Sequence, residues 1–184
     1  MFDAAKARLA RRSALKQVRR RAVRPWTTDP AHRRVLVVVR TGDEAAHEAW
    51  RFVSSLGIPP QRIIPVVLSG QVTHVPAEYI TRLIRLDDEN LNFLGLPKKD
   101  FAQRVWSEAP DVAFSLSPAF DIAAAALVGA SPAPFRVGLY SDEDVEPFFD
   151  LMLVPAASLP SSFETLRQTL ARITPPVLAI DPAE

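Results

Sequence analysis

Three short polar stretches follow hydrophobic runs, and each can place reactive side chains at the end of a β-strand. Ligands of open parallel sheets gather at the carboxyl ends of the strands, so these stretches are where we expect any binding site. They are RTGDE (40–44), LSPAFD (116–121) and YSDEDVE (140–146). The candidates for ligand contacts within them are Thr41, Gly42, Ser117 and Asp142, and the candidate for catalysis is Asp43.

The first stretch has a chemical and a structural interpretation. Gly42 can bring backbone N–H groups close to an anion, and Asp43 can act as a base or hold a ribose. Thr41 and Glu44, however, have the spacing of a helix capping box, and acidic residues in a first helical turn suit the helix dipole. A single glycine is far less specific than a full phosphate-binding loop. We therefore predict a cap here in preference to a ligand site.

Ser117 offers a hydroxyl that could act as a nucleophile. No G-x-S-x-G motif surrounds it, and no histidine follows position 74, so this half of the chain has no evident base. Ser117 before Pro118 is instead typical of a helix N-cap with proline in the first position, which puts Asp121 in the first turn. The sequence predicts a cap at Ser117.

Two acidic runs, Asp87–Glu89 and 141–146, have enough carboxylates to hold Mg²⁺. Such runs are more often solvated turns and helix starts. The chain has no cysteine, and its three histidines, His32, His47 and His74, lack the spacing of paired metal ligands. We predict no metal site and no cofactor.

The beginning of the chain is strongly basic. Residues 1–40 carry twelve Lys and Arg against two acidic residues, whereas residues 41–184 carry ten against nineteen. Residues 2–24 contain no Gly or Pro, which favours a helix, and Pro25 stops it. Its apolar residues fall into two patches on different faces, one around Leu9 and one around Val18.

This basic helix can act in two ways. It can contact a polyanion such as RNA, DNA or an anionic lipid surface, or it can pack onto the acidic body of its own chain or onto a second copy. Its partner is then a nucleic acid, another protein or the same chain, bound through residues 1–24. The residues predicted for these contacts are Arg11, Arg12, Lys16, Arg19, Arg20, Arg21 and Arg24.

Beyond residue 31, strands and helices alternate. Hydrophobic, β-branched runs predict strands at 33–40, 62–69, 79–86, 111–117, 135–140 and 150–154. Helical periodicity or alanine content predicts helices at 43–57, 98–109, 119–130 and 161–173. The alternation predicts an α/β protein, a three-layer Rossmann-like sandwich with a mainly parallel sheet. It spans residues 32–174, between the basic helix at 1–25 and a Pro-rich tail at 175–184.

Two single residues refine the predicted fold, and the hydropathy of the chain predicts where the protein is found in the cell. Pro65 places its strand near a sheet edge or at a bulge, and Gly129 ends its helix. No apolar run approaches the roughly 20 residues that span a bilayer. The N-terminus also lacks the apolar core of a secretory signal. We predict no membrane span and a cytoplasmic protein.

Most of the chain, including the segment from Lys98 to Val154, resembles an uncharacterised family of small bacterial proteins known mostly from Bacteroidetes. The resemblance rests on KKDFAQRVWSEAPDVAFSLSPAFDIAAAALVGASPAPFRVGLY followed by FDLMLV. It implies a basic N-terminal helix and a strand–helix–RVG block followed by DLM. It implies no established activity.

A second resemblance is to the N-terminal half of heptosyltransferase-like glycosyltransferases. It rests on Gly42-Asp43, Asp111–Leu116, Gly129-Ala130 and Arg136–Gly138. The resemblance implies a catalytic role for Asp43. Those enzymes also need a second Rossmann-like domain for the sugar-nucleotide donor, which 184 residues cannot supply.

The sequence as a whole favours a non-enzymatic Rossmann-like protein that acts through protein or polyanion contacts of its basic helix. The alternative is a small-molecule domain, for a nucleotide or sugar nucleotide, with its site at the carboxyl strand ends around Asp43, Ser117 and Asp142. Such a site is catalytic only if a partner chain completes it.

Overall fold

A computed structural model describes residues 2–25, 32–40, 44–68, 74–117, 119–139, 147–153 and 158–173. Its strands are β1 (Val35–Arg40), β2 (Ile63–Leu68), β3 (Ile84–Leu86), β4 (Val112–Ser115), β5 (Phe135–Leu139) and β6 (Leu151–Leu153). Its α-helices are α1 (Phe2–Arg19), α2 (Glu44–Ser55), α3 (Ala77–Ile80), α4 (Lys99–Ser107), α5 (Ile122–Gly129) and α6 (Leu159–Ile173).

The strands form one six-stranded sheet in the order β3-β2-β1-β4-β5-β6, and every neighbouring pair is parallel. This is the strand order of doubly wound Rossmann folds. Helices pack on both faces, because a parallel sheet needs right-handed crossovers that cover it on each side. The predicted α/β class and parallel sheet are confirmed.

The sheet separates two hydrophobic cores. Val35, Val37 and Val39 of β1 face the core that contains α2 and α6, whereas Leu36 and Val38 face the core that contains α4 and α5. Side chains alternate between faces in a strand, so a strand covered on both sides needs an unbroken apolar run. VLVVV is such a run, and all five of its side chains are buried.

One strand agrees with the sequence prediction in detail, because Pro65 does lie near a sheet edge, and another differs from it. β2 is second from the edge, and β3 pairs only with Val66–Leu68, so Pro65 lies beyond the end of its outer neighbour. A proline without an N–H is tolerated where no partner strand needs that donor. The segment predicted as a strand at 79–86 begins instead within the short helix α3, which leaves only Ile84–Leu86 in the sheet.

Helix α1 packs against α5 and joins the core on that side of the sheet. Ala10, Ala14 and Val18, spaced four residues apart, are its buried residues, and Leu9 is 54% exposed. Of the two apolar patches predicted for this helix, the one around Val18 does pack into the core, with Leu15 packed against it. The patch around Leu9 is wrong, because the small residues Ala10 and Ala14 make the contact instead. The helix also ends at Arg19, and the backbone N–H of Arg24 then donates to the carbonyl of Pro132 at 2.9 Å.

Helix α5 is apolar on all sides because it is covered on all sides. Every residue from Ala123 to Gly129 is buried, with the sheet on one side and α1 on the other. Gly129 is the last residue of the helix, as predicted, but its role is close packing. A Cβ there would lie 2.8 Å from Phe148 Cδ1 and 3.0 Å from Val18 Cγ2.

Near the amino ends of the strands, two aspartates, each directly before a strand, form hydrogen bonds with the backbone of the neighbouring strand. Asp111, before β4, accepts from the backbone N–H of Arg34 at 2.9 Å and donates its own N–H to the Arg34 carbonyl at 2.8 Å. Asp150, before β6, does the same with Arg136 at 2.9 Å in both directions. Each pair sets the register of two parallel strands.

The Arg136 side chain extends this contact into a network. It is 7% exposed, donates to Asp150 Oδ1 at 2.6 Å and Oδ2 at 2.9 Å, and donates to the carbonyl of Gly129 at 2.8 Å. A cation at a helix C-terminus also suits the helix dipole. Arg21, just after α1, lies 3.9 Å from Asp150 and donates to the carbonyl of Ala133 at 2.8 Å. One ion-pair network thus joins β5, β6, α5 and the end of α1.

The pKa of Asp150 predicts a pH dependence of stability. Burial by itself raises this pKa, but the hydrogen bonds and charge of Arg136 outweigh burial and leave it below its usual value. A carboxyl with a lowered pKa stabilises the fold above its unfolded pKa of about 3.9, and this contribution is lost as pH falls through the folded value. We expect the difference in unfolding free energy between the wild type and Asp150→Asn to be constant from pH 5 to 8 and to shrink below about pH 4. Urea unfolding across this range measures it, and a difference that grows towards low pH would contradict the assignment.

Candidate functional site

The strand order places a crevice at the carboxyl ends of β1 and β4. There the connection after β1 and the connection after β4 run to opposite sides of the sheet. The chain passes from β1 outward through β2 and β3, and then returns to β4 on the other side of β1. Ligands of doubly wound folds bind at this point, outside the carboxyl ends of the strands. Arg40 is the last residue of β1, and Ser117 follows the end of β4, where the N–H of Leu116 donates to the Val38 carbonyl at 3.0 Å.

Asp121 is the N-cap of the helix that begins in this crevice. Its Oδ1 accepts from the backbone N–H groups of Ala123 at 2.9 Å and Ala124 at 3.0 Å. Its Oδ2 lies 3.1 Å from Nη2 of Arg40, which ties the end of β1 to the start of α5. The predicted cap at Ser117 is therefore wrong. Aspartate caps a helix as well as serine does, and here the helix starts four residues later than Ser117-Pro118 suggested.

Ser117 is left without the role that the sequence predicted for it. Its side chain is 7% exposed, and its Oγ has no hydrogen-bond partner within the described part of the chain. A buried hydroxyl without a partner is destabilising, so it is a point where a ligand atom or a water can gain a hydrogen bond. No described histidine or carboxylate is bonded to it, so it has no base within that part of the structure.

The remaining candidates of this site lie outside the described residues. These are Thr41, Gly42, Asp43 and Asp142. Among the residues described, no group of three or more His, Cys, Asp or Glu side chains is arranged to hold a metal ion. The structure does bring His47 and His74 together, with ring centroids 6.3 Å apart, which their 27-residue separation in sequence concealed.

The side of α1 that faces away from α5 carries a row of cations. The row consists of four residues of α1 and the residue directly after it, all exposed, and is called the basic row below: Arg8, Arg12, Lys16, Arg19 and Arg20. Successive members are one helical turn apart along most of the row, which spans about 18 Å at 1.5 Å per residue. Within the described part of the chain, no ion pair or hydrogen bond engages these five side chains. Arg8 is not among the contact residues predicted from the sequence, although its four-residue spacing from Arg12 is the spacing of one helical face.

Three of the basic residues predicted for partner contacts lie elsewhere. The Arg21 side chain is 13% exposed. It donates to the carbonyl of Ala133, after α5, and lies 3.9 Å from the Asp150 carboxylate. Arg24 is half-buried, and its backbone is held by Pro132. Arg11 is half-buried and has an interaction of its own. The predicted set thus divides into exposed cations and partly buried ones, of which Arg21 and Arg24 hold the chain just after α1 in place.

None of the described helices is both long enough and apolar enough to cross a lipid bilayer. A family model described as a family of unknown function (DUF6913) matches residues 6–170, which include most of α1 and all six strands. A comparison with curated proteins finds no match. The predicted resemblance to a family without assigned activity is confirmed, and the comparisons give no support to the glycosyltransferase resemblance.

Proposed function

The chain belongs to the family of unknown function DUF6913, and we propose that it is a non-enzymatic Rossmann-like protein that binds the phosphate backbone of a nucleic acid through the basic row. The observation that carries this proposal is a set of five exposed cations without partners among the described residues, along a helix whose opposite side is fixed to the body. Unpaired Lys and Arg side chains on a rigid helix need little reorganisation to neutralise phosphates.

The packing of α1 argues against a membrane surface as the partner. A helix that lies in a lipid interface inserts an apolar face among the acyl chains. Here Ala10, Ala14 and Val18 are already buried against α5. Leu9 and Val23 are the large apolar residues of this region that remain exposed, and two separated residues do not form an insertion face.

The distribution of charge supports a contact confined to α1. Residues 41–184 carry ten basic and nineteen acidic residues, so most of the surface repels a polyanion. The contact between α1 and α5 is apolar, so it does not use the charges of the basic row in ion pairs. A narrow cationic row beside a repulsive surface favours an extended anion over a broad anionic plane.

The crevice at the sheet edge supports binding over catalysis. Asp121 is committed to capping α5 and to its ion pair with Arg40. Ser117 has no described base bonded to it. General base catalysis needs a base within hydrogen-bond reach of the proton that it removes. Asp43 stays a sequence prediction for a catalytic residue.

Fluorescence anisotropy with labelled 20-nucleotide single strands tests the proposal. Counterion release gives a slope of log K against log salt of about −0.7 for each phosphate neutralised, so five contacts predict a slope near −3.5. Changing all five members of the basic row to Gln should weaken binding about tenfold or more at 50 mM salt and flatten the slope towards zero. These residues are exposed, so the unfolding midpoint should change little.

A matched control removes five positive charges from other exposed positions. These positions are Arg51, Arg85, Arg104, Arg167 and Arg172. This variant should bind within about twofold of the wild type, since its charges lie off α1. Equal weakening in both variants would mean that binding follows net charge and would refute a specific role of the basic row. Stronger binding to vesicles of anionic lipid or to an acidic peptide than to the oligonucleotide would refute the nucleic-acid assignment.

A further inference from the structure

A cavity of about 620 Å³ lies where the end of α1 meets α4 and the turn after α5. This volume falls within the range of small-molecule sites, about 300–1,000 Å³. Its walls come from three parts of the chain that are far apart in sequence, and its lining includes Arg20, Arg21, Asn92, Lys99, Trp106 and Pro132. It lies away from the strand-end crevice, at the opposite end of α5 from Asp121.

The cavity is cationic. Three of its lining residues are Arg or Lys, and none is acidic. Arg20 and Lys99 are exposed at its rim, and neither side chain has a partner within the described part of the chain. Arg21 is held in place by the carbonyls of Ala133 and Ser131. Burial lowers the pKa of Arg21 and the nearby charge of Arg136 lowers it further, although Asp150 acts in the other direction. An anion in the cavity would relieve this crowding of positive charge.

The remaining walls suit a flat apolar group. Apart from Gln17 and Asn92, the other lining residues are Ala22, Pro97, Ala102, Trp106, Ala130 and Pro132. The indole of Trp106 is fixed in orientation because its Nε1–H donates to the Leu127 carbonyl at 3.0 Å. A ring whose orientation is already fixed loses little entropy when another ring packs against it.

Lys99 is also the first residue of α4, and the N-cap position of that helix, Lys98, makes no side-chain cap. The first backbone N–H groups of α4 therefore add partial positive charge near the rim beside the Lys99 ammonium.

We infer that this cavity binds a small phosphorylated molecule with a planar ring, about the size of a mononucleotide. Arg20, Lys99 and Arg21 meet the phosphate, and Trp106 and the prolines meet the ring. This site goes beyond the proposed function, because it takes a small molecule into a cavity and does not use Arg8 or Arg12.

Calorimetric titration of the full chain with adenosine 5′-monophosphate, phenyl phosphate, inorganic phosphate and adenosine tests the inference. The two phosphorylated ring compounds should bind about tenfold or more tightly than either inorganic phosphate or adenosine, because only they use both the charged and the apolar walls. In ¹H–¹⁵N spectra, the Trp106 indole signal should shift on binding. The indole signal of Trp50, which is 1% exposed in the opposite core, should not.

Paired variants separate this cavity from the basic row. Arg20→Gln with Lys99→Gln should raise the Kd for adenosine 5′-monophosphate about tenfold or more. Arg8→Gln with Arg12→Gln removes the same charge from residues of α1 that do not line the cavity, and it should leave that Kd unchanged. Equal effects of the two pairs on that Kd would overturn the inference. So would the absence of binding by both adenosine 5′-monophosphate and phenyl phosphate at about 10 mM, a concentration at which even a weak site is largely filled. Arg20 belongs to both the basic row and the cavity, whereas Arg8 and Arg12 do not line the cavity. Oligonucleotide binding is therefore also measured on the Arg8 and Arg12 pair. A loss of oligonucleotide binding by that pair, with an unchanged Kd for adenosine 5′-monophosphate, separates the two sites.

Discussion

Deleting residues 1–24 should lower the free energy of unfolding by about 3 kcal/mol or more. The deletion removes the burial of Val18, Ala10 and Ala14 and exposes the side of α5 that they cover. Burying a valine contributes about 1.5 kcal/mol or more and each alanine methyl about 0.8 kcal/mol. The deletion also removes Arg21 and its bonds to Ser131 and Ala133. Urea unfolding measures the loss.

A shorter deletion provides the control. Removing residues 1–7 takes away side chains that are exposed from Ala4 onward, and it spares Ala10, Ala14 and Val18, the residues of α1 described as buried. This variant should unfold within about 0.5 kcal/mol of the intact chain, as expected for surface changes. If the long deletion left the unfolding midpoint unchanged, α1 would not be part of the core, and the rigid support of the basic row would be lost with it.

Replacing Asp150 by alanine should lower the free energy of unfolding by about 2–4 kcal/mol. The substitution leaves the Arg136 guanidinium, which is 7% exposed, without its charge partner. Removing one member of a buried ion pair costs about 3–5 kcal/mol. The lower range applies here because the Asp150 side chain is itself 32% exposed, so water reaches the vacated position. Thermal and urea unfolding at pH 7 both measure it.

Glu164→Ala is the matched control for Asp150→Ala. Glu164 makes an equally short ion pair, 2.6 Å to Arg167, but both partners are about half exposed. Exposed ion pairs contribute little, because solvent screens the charges and the side chains lose entropy when they are held. Glu164→Ala should therefore leave the unfolding midpoint nearly unchanged. A loss as large as that for Asp150→Ala would show that burial of Arg136 does not set the cost.

The motifs that carried the family resemblance can now be explained physically. In DVAF and DLML, Asp111 and Asp150 precede strands and bind the backbone of the neighbouring strand. In FRVG, Arg136 completes the network through its side chain. Gly138 allows Phe149 to approach, since a Cβ there would lie 2.6 Å from the ring. Asp111, Asp150 and Arg136 hold the sheet together near the amino ends of its strands, away from the crevice at the carboxyl ends.

The sequence by itself determined the α/β class, the parallel sheet and the helix α2 with its buried face. Each depends on a short-range periodicity, because an unbroken apolar run must be covered on both faces and a period near 3.6 must present one face. The apolar run of α5 also contains a signal for the position of α1. A helix without a polar face must be covered on both sides, and α1 is its cover.

Only the tertiary structure decided which charged residues are available for binding. Arg20 and Arg21 are adjacent and chemically identical, yet one is exposed and the other is bonded to carbonyls more than 100 residues away. The choice of Asp121 over Ser117 as the cap likewise depends on Arg40, which is 81 residues distant and lies 3.1 Å away. Residues so far apart in the chain leave no periodic pattern in the sequence that would predict their contact. These contacts arise only when α1 and β1 pack against α5.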